Sequence, residues 1–212
     1  MESYISKAII KHLNRKPIPL KIFTNLQNRY SETHRYYHTW KHIEQLTKQY
    51  EKIENKLSYK GAVFVALLYH DAIYDTHSSQ NEAKSAELLI DDLTNYLEPD
   101  DCSFAVTLIQ ATKNHTMPIA VQNDARREDC KLFLDMDMSI LGSHIEEYEE
   151  YSRNIRNEYL HVAYEKYKIG RLAVLDTFMK RSKIYFSDYY HNMLEHNARA
   201  NMQLEITKLR AI

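Results

Sequence analysis

The sequence predicts an all-α protein folded as a single domain, and three observations support this prediction. Apolar residues recur at helical spacing along most of the chain, for example at Ala83, Ala86, Leu89 and Ile90. Three Gly and four Pro in 212 residues are too few for a turn-rich β protein, whereas helices need few of either. The content of 44% hydrophobic and 27% charged residues is ordinary for one globular domain.

The N-terminal helices are predicted around two prolines. Apolar residues at helical spacing predict a short first helix over about residues 5–13. Pro17 and Pro19 end that helix and prepare a second one over about residues 20–30. A polar break follows, and a third helix is predicted to begin near residues 37–39.

A central helix is predicted over residues 59–73. Its apolar run from Ala62 to Tyr69 leaves no polar face, which indicates a helix buried in the middle of the molecule. The run leads directly into His70 and Asp71. Burying an unpaired carboxylate is costly, and a buried imidazole also needs partners. A bound divalent cation would satisfy both side chains at once.

The remaining helices are predicted from apolar spacing, caps and breakers. Asn81 is expected to cap a helix that runs to about Leu93, and Gly142 is expected to stop another. Further helices are predicted at about 99–115, 129–141, 143–159, 164–180 and 189–210. We expect one domain over residues 1–212, with a core at about 30–180 and a C-terminal helix at about 187–210 packed on it.

Composition excludes several classes of protein. The formal net charge of −1, from 28 basic and 29 acidic residues, gives no footprint for a nucleic-acid polymer and no basic face for a membrane. The longest apolar run is much shorter than the roughly 20 residues that span a bilayer. The N-terminus lacks the apolar stretch of a signal peptide. Cys102 and Cys130 are expected to be reduced thiols, which predicts a cytoplasmic protein.

Four segments carry ligand-type residues at positions expected to face the core. They are residues 35–42, 70–71, 112–115 and 133–142. Two imidazoles and two carboxylates drawn from them make a mixed nitrogen and oxygen site. Such a site suits Mn, Fe, Co, Ni, Mg or Zn and leaves open positions for water and substrate.

The order His … His-Asp … Asp on helices resembles the HD-domain superfamily of metal-dependent phosphohydrolases. The local words resemble one branch of it, the small predicted HD phosphohydrolases, over about residues 30–210. The matching words are Tyr37-His38 with His42, Phe64 to Asp75, Asn81-Glu82 with Ser85-Ala86, Thr112 with His115, Phe133 to Gly142, Ile155-Arg156 with Glu158-Tyr159, and Gly170-Arg171.

The resemblance implies four metal ligands, which are His38, His70, Asp71 and Asp137. His38 is preferred because Arg35 precedes it by three residues, as in the family's Arg-x-x-His start. His42, one turn further along, is the competing first ligand or a contact to substrate. Asp137 is preferred over its competitor Asp135 because it directly precedes an apolar-x-x-Leu stretch.

The resemblance also suggests roles around the metal. Asp75 lies four residues after Asp71, on the same face one helical turn along, and is the candidate for the general base or for the group that orients the water. HD hydrolases that cleave (p)ppGpp, and the nucleotidases, carry a Glu where this chain has Tyr74, which speaks against those two activities. Contacts to the substrate are expected from His42, Lys113, His115 and Arg171.

These residues predict a metal-dependent phosphohydrolase. Its substrate would be a small phosphorylated molecule such as a nucleotide, and the protein would be a monomer or a homodimer. Two alternatives stay open at this point. One is a non-catalytic HD domain that binds metal or nucleotide, and the other is a di-iron HD oxygenase that uses His42 and His115 as extra ligands.

Overall fold

The protein is all-α, as predicted. The computed structural model describes residues 18–211 and Ala8, and in this part it has nine α-helices, two short 3₁₀ helices and no strand. The helices are α1 Leu20–Arg29, α2 Trp40–Ile53, α3 Lys60–Tyr69, α4 Asn81–Leu93, α5 Pro99–Thr112, α6 Asp124–Asp137, α7 Ile145–Glu158, α8 Tyr164–Met179 and α9 Asp188–Ala211. The 3₁₀ helices are Glu54–Lys56 and Met138–Gly142. Of the predicted helix at 5–13, only Ala8, which is helical and buried, lies within the described residues.

The chain forms two compact units. The first runs to Leu134 and the second starts at Asp135, so that the boundary falls inside helix α6. The expectation of a single domain over residues 1–212 stays a prediction.

Helix α3 is the core of the first unit. Every residue from Ala62 to Tyr69 is fully buried, and α2, α4 and α5 pack against this helix. At its N-terminal end, the Asp129 carboxylate accepts hydrogen bonds from the backbone N–H groups of Ser58 and Tyr59. These bonds satisfy donors that have no partner inside a helix. In the described part of the chain, no helix is both long enough and apolar enough to span a membrane.

Helix α3 ends at Tyr69, four residues before the predicted end, so that prediction was wrong. The Ala66 carbonyl accepts the last helical hydrogen bond, from His70 N at 2.9 Å, and the next three carbonyls find partners outside a continuing helix. Their donors are His70 Nδ1 to Leu67 O (2.9 Å), Tyr30 Oη to Leu68 O (3.0 Å) and Ala72 N to Tyr69 O (3.0 Å). Two of these donors belong to side chains, which compete with the next turn of the helix for the same carbonyls.

The second unit is organised around the 3₁₀ turn Met138–Gly142. Helices α7 and α9 pack against this turn, and α8 packs against α9. A side-chain carbon at Gly142 would lie 2.6 Å from Leu194 Cβ and 2.8 Å from Leu194 O. The φ angle of Gly142 is not positive, and α6 already ends at Asp137. Gly142 is therefore required for close packing and not as the left-handed helix stop that the sequence predicted.

Candidate metal centre

Three ligand-type side chains come together beyond the C-terminal end of α3. Within the part of the chain that the structure describes, His42, His70 and Asp137 each offer one ligand atom, and these atoms all lie within 4.8 Å of one another. His42 comes from the first turn of α2 and His70 directly follows α3. Both histidines are buried. Ligand atoms bound to one ion at about 2.1 Å are at most about 4.2 Å apart, so a limit of 4.8 Å is close to the spacing that a metal site needs.

The position of Asp137 follows from helix α6. Phe133, on the same helix, packs edge-on against the His70 ring with 6.3 Å between ring centroids. Asp137 is the last residue of α6 and lies four residues after Phe133. Residues four apart share one face of a helix, so the face that meets His70 also carries Asp137.

The His70 ring is oriented by the chain around it. Nδ1 lies 2.9 Å from the Leu67 carbonyl oxygen, which can only accept, so Nδ1 carries a proton. In a neutral ring Nε2 then presents a lone pair, and it lies 3.0 Å from Asp71 Oδ2. A lone pair facing a carboxylate oxygen is repulsive unless a proton or a metal cation lies between them. This arrangement is the one that metal-binding histidines adopt, with the other ring nitrogen tied to a carbonyl.

Asp71 lies between two histidines. Its Oδ2 is 3.0 Å from His70 Nε2 and 3.9 Å from His38 Nε2. The side chains of His38 and Asp71 are 18% and 19% exposed, so they adjoin the buried group on its more open side. The group of three contains His42 and not His38. The preference for His38 as first ligand stays a prediction, while this geometry favours the alternative, His42.

Aromatic rings enclose the two histidines of the first segment. The Tyr37 ring lies 5.0 Å from His38 and 4.9 Å from His42, measured between ring centroids. The Tyr74 ring lies 4.2 Å from the His38 ring, also measured between ring centroids. The Tyr74 side chain, where the resemblance to (p)ppGpp hydrolases led us to expect an acid, thus contacts His38 with its ring. Sequence reasoning missed both contacts, since the many tyrosines of this chain gave no sign of which ones face the ligands.

Asp75 is not one helical turn from Asp71, because α3 ends before either residue. It lies in a loop, its side chain is 58% exposed, and Oδ1 accepts a hydrogen bond from the backbone N–H of His77. That bond lowers the pKa of Asp75, and a carboxylate with a lowered pKa is a weaker base. The Asn81 amide, which was expected to cap α4, instead bonds the backbone N–H and carbonyl of Asp75. The catalytic role of Asp75 stays a prediction.

Two of the predicted substrate contacts lie in the turn that directly follows helix α5. Lys113 is exposed and donates from Nζ to the Ser79 carbonyl oxygen at 2.9 Å. His115 is partly exposed and has a φ of 46°, the left-handed conformation that commonly ends a helix. It ends α5 in this way, and the role of both residues in binding substrate stays a prediction.

Arg171 lies in the second unit and makes a buried ion pair. Its Nε and Nη2 donate to the two carboxylate oxygens of Glu205 at 2.8 and 3.0 Å. Glu205 also accepts from the Tyr148 hydroxyl at 2.5 Å and the Ser152 hydroxyl at 2.9 Å. A guanidinium held by both carboxylate oxygens is committed to that partner. This ion pair gives Arg171 a structural role, and its contact with substrate stays a prediction.

Comparisons with known proteins do not identify a relative. No model of a known protein family matches the chain, and no curated protein matches it either. The resemblance to HD phosphohydrolases is therefore carried by its sequence words and their order alone, and it stays a prediction.

Proposed function

We propose that this protein is a metal-dependent phosphohydrolase that cleaves a phosphate ester of a small molecule. The observation that carries the proposal is the group of His42, His70 and Asp137, whose ligand atoms lie within 4.8 Å of one another. These residues come from three segments far apart in the sequence, and such convergence is typical of a functional site. The order His … His-Asp … Asp, which resembles HD phosphohydrolases, supports hydrolysis of a phosphate ester.

His42, His70 and Asp137 would hold the ion, with Asp71 beside them as a fourth ligand that offers a second carboxylate oxygen. A mixed set of nitrogen and oxygen donors suits Mn, Mg, Co, Ni, Fe or Zn. Such an ion, when bound, polarises a phosphoryl oxygen and lowers the pKa of bound water to about 7.

His38 is the candidate for proton transfer. Its Nε2 lies 3.9 Å from Asp71 Oδ2, next to the group of three, and its side chain is 18% exposed. An imidazole can take or give a proton near neutral pH. The Asp71 carboxylate lies beside His38, and the rings of Tyr37 and Tyr74 contact its ring.

The test combines metal analysis with a screen of phosphorylated metabolites in the presence of several divalent ions. His42→Ala should lose the metal, because it removes a ligand. His38→Ala should keep the metal and lose turnover by about 10²–10⁴-fold, because it removes only proton transfer. His196→Ala, at an exposed position of α9, is the matched control and should change neither. Full metal content in His42→Ala would refute this ligand set, and loss of metal from His38→Ala would restore His38 as first ligand.

The same measurements separate the alternatives. Stoichiometric metal without turnover of any phosphorylated compound would indicate a non-catalytic binding domain. Two irons per chain would indicate the di-iron oxygenase. Asp75→Asn belongs in the screen as well: a loss of turnover with intact metal content would give Asp75 the role of base that the sequence predicts.

A further inference from the structure

Arg35 joins two segments that carry candidate ligands. Its side chain is fully buried, and Nη1 donates to the carbonyl oxygens of His38 at 3.1 Å and of Asp71 at 2.7 Å. Nη2 donates to the Ala72 carbonyl oxygen at 3.1 Å, and Nε donates to Glu32 Oε2 at 3.0 Å. One guanidinium thus fixes the distance between main-chain segments that lie more than thirty residues apart in the sequence.

Aromatic rings pack against the guanidinium of Arg35. The Tyr30 and Tyr74 ring centroids lie 5.1 and 5.4 Å from its central carbon. A buried charge is tolerated only where hydrogen bonds and nearby polarisable groups replace its water shell. Both conditions are met here, so Arg35 has one well-defined position.

Two of the three carbonyls that Arg35 binds follow the end of a helix, where the helix provides no donor. Asp71 and Ala72 follow the end of α3, where carbonyl groups lack helical partners. A cation at the C-terminal end of a helix is also favoured by the helix dipole. The guanidinium therefore stabilises the turn that directs His70 and Asp71 toward the candidate centre.

We infer that Arg35 is the positioning residue of the metal centre. It contacts the main chain that carries the ligands, and it acts through them on the affinity for the ion. This inference rests on the proposed metal site. A lysine cannot replace it, because a single ammonium group cannot bond three carbonyls and Glu32 in one plane.

The experiment measures the affinity for Mn²⁺ on the full-length protein by electron paramagnetic resonance of the free ion. Arg35→Lys keeps the charge and much of the stem but loses the planar set of donors. Residues that hold metal ligands in place typically contribute about 10–100-fold to metal affinity, and we expect a loss of that size. Unfolding of the metal-free variant by urea is followed in parallel, so that loss of affinity is separated from loss of stability.

Arg199→Lys is the matched control. Arg199 also donates to the carboxylate of one glutamate, Glu195, and to three backbone carbonyls. These are the carbonyls of Met179, Arg181 and Ser182. It should lose stability and keep its affinity for Mn²⁺. Equal losses of affinity in both variants, or unchanged affinity in Arg35→Lys, would overturn the inference.

A second variant covers the case in which Arg35→Lys does not fold. Glu32→Gln changes a side chain that is 40% exposed, and it weakens the bond that orients Nε together with a longer contact to His34 at 3.8 Å. It should weaken Mn²⁺ binding measurably, and unchanged affinity would overturn the inference. If the wild-type protein binds no Mn²⁺ or other divalent ion, the proposed metal site itself is refuted and this inference falls with it. Binding by the wild type with unchanged affinity in the variants refutes the role of Arg35 alone.

Discussion

Asp135 and Asp137 stand two residues apart and have different roles. The Asp135 carboxylate is fully buried and accepts hydrogen bonds from Phe186 N at 2.7 Å, Ser187 N at 2.7 Å and Ser187 Oγ at 2.6 Å. Burial raises the pKa of Asp135 to about 6, although these bonds oppose the rise. Asp137, by contrast, offers its carboxylate to the group with His42 and His70.

The two acids can be separated by one pair of variants. Asp135→Asn places an amide against backbone donors and should reduce the free energy of unfolding by about 1–3 kcal/mol while metal content is kept. Asp137→Asn should lose the metal and, in the presence of chelator, unfold at nearly the wild-type urea concentration. Urea unfolding and metal analysis on the same preparations check both. The opposite pattern would make Asp135 the ligand.

Sequence reasoning identified this segment but could not derive the division of roles. Both acids alternate with apolar residues and look alike by pattern, and only the resemblance to a family word favoured Asp137. The donors to Asp135 come from residues 186–187, about fifty positions later, and no local pattern links them. No local pattern singles out His42 either. It was the alternative to His38 in the sequence, and only its proximity to His70 and Asp137 in three dimensions favours it.

At the scale of the helices, two glycines allow opposite predictions. A side-chain carbon at Gly142 would be 2.6 Å from Leu194 Cβ, whereas at Gly170 it would meet open space within α8. Gly142→Ala should therefore destabilise the protein by about 1–3 kcal/mol through overpacking. Gly170→Ala should stabilise it by about 0.5–1 kcal/mol, because alanine is the better helix former. Thermal unfolding of both variants provides the check, and destabilisation by Gly170→Ala would show that this face of α8 is covered.

The helices show which features of the fold follow from the local sequence and which depend on distant residues. The apolar run from Ala62 to Tyr69 predicted a buried central helix, and every one of these residues is buried. Its C-terminal end was predicted four residues too late, because the competing donors Tyr30 and His70 act through their side chains. Hydrophobic pattern reports where a helix is buried, but its end is decided by contacts that the pattern does not contain.

At the scale of the whole molecule, acid stability should depend on Glu205. Burial alone would raise the pKa of Glu205, but the hydrogen bonds and charge of Arg171, with the bonds from Tyr148 and Ser152, hold it below its ordinary value of 4.5. A carboxyl group with a lowered pKa in the folded state stabilises the fold above the pKa of the unfolded state. That stabilisation is lost as the pH falls through the folded-state pKa.

Urea unfolding in the presence of chelator, from about pH 5 to about pH 3, tests this dependence. The wild-type midpoint should fall as the pH falls below 4.5, the ordinary pKa. Glu205→Gln should be less stable near neutrality, since it leaves Arg171 buried without its charge partner, and should depend less steeply on pH. Glu149→Gln is the control, because Glu149 pairs with Lys208 at a more exposed position. An unchanged slope in Glu205→Gln would assign the acid dependence to other groups.

The complete burial of α3 has a consequence for how this chain can vary. A helix on the surface tolerates amino-acid substitutions on its outer face, where side chains contact only water. From Ala62 to Tyr69 there is no outer face, since every residue is fully buried. A larger side chain finds no space and a polar one finds no solvent, so neither kind of substitution is accommodated without changes in the packed neighbours. This segment, adjacent to His70, is thus expected to be the most conserved part of the sequence in any relative that keeps the same candidate metal centre.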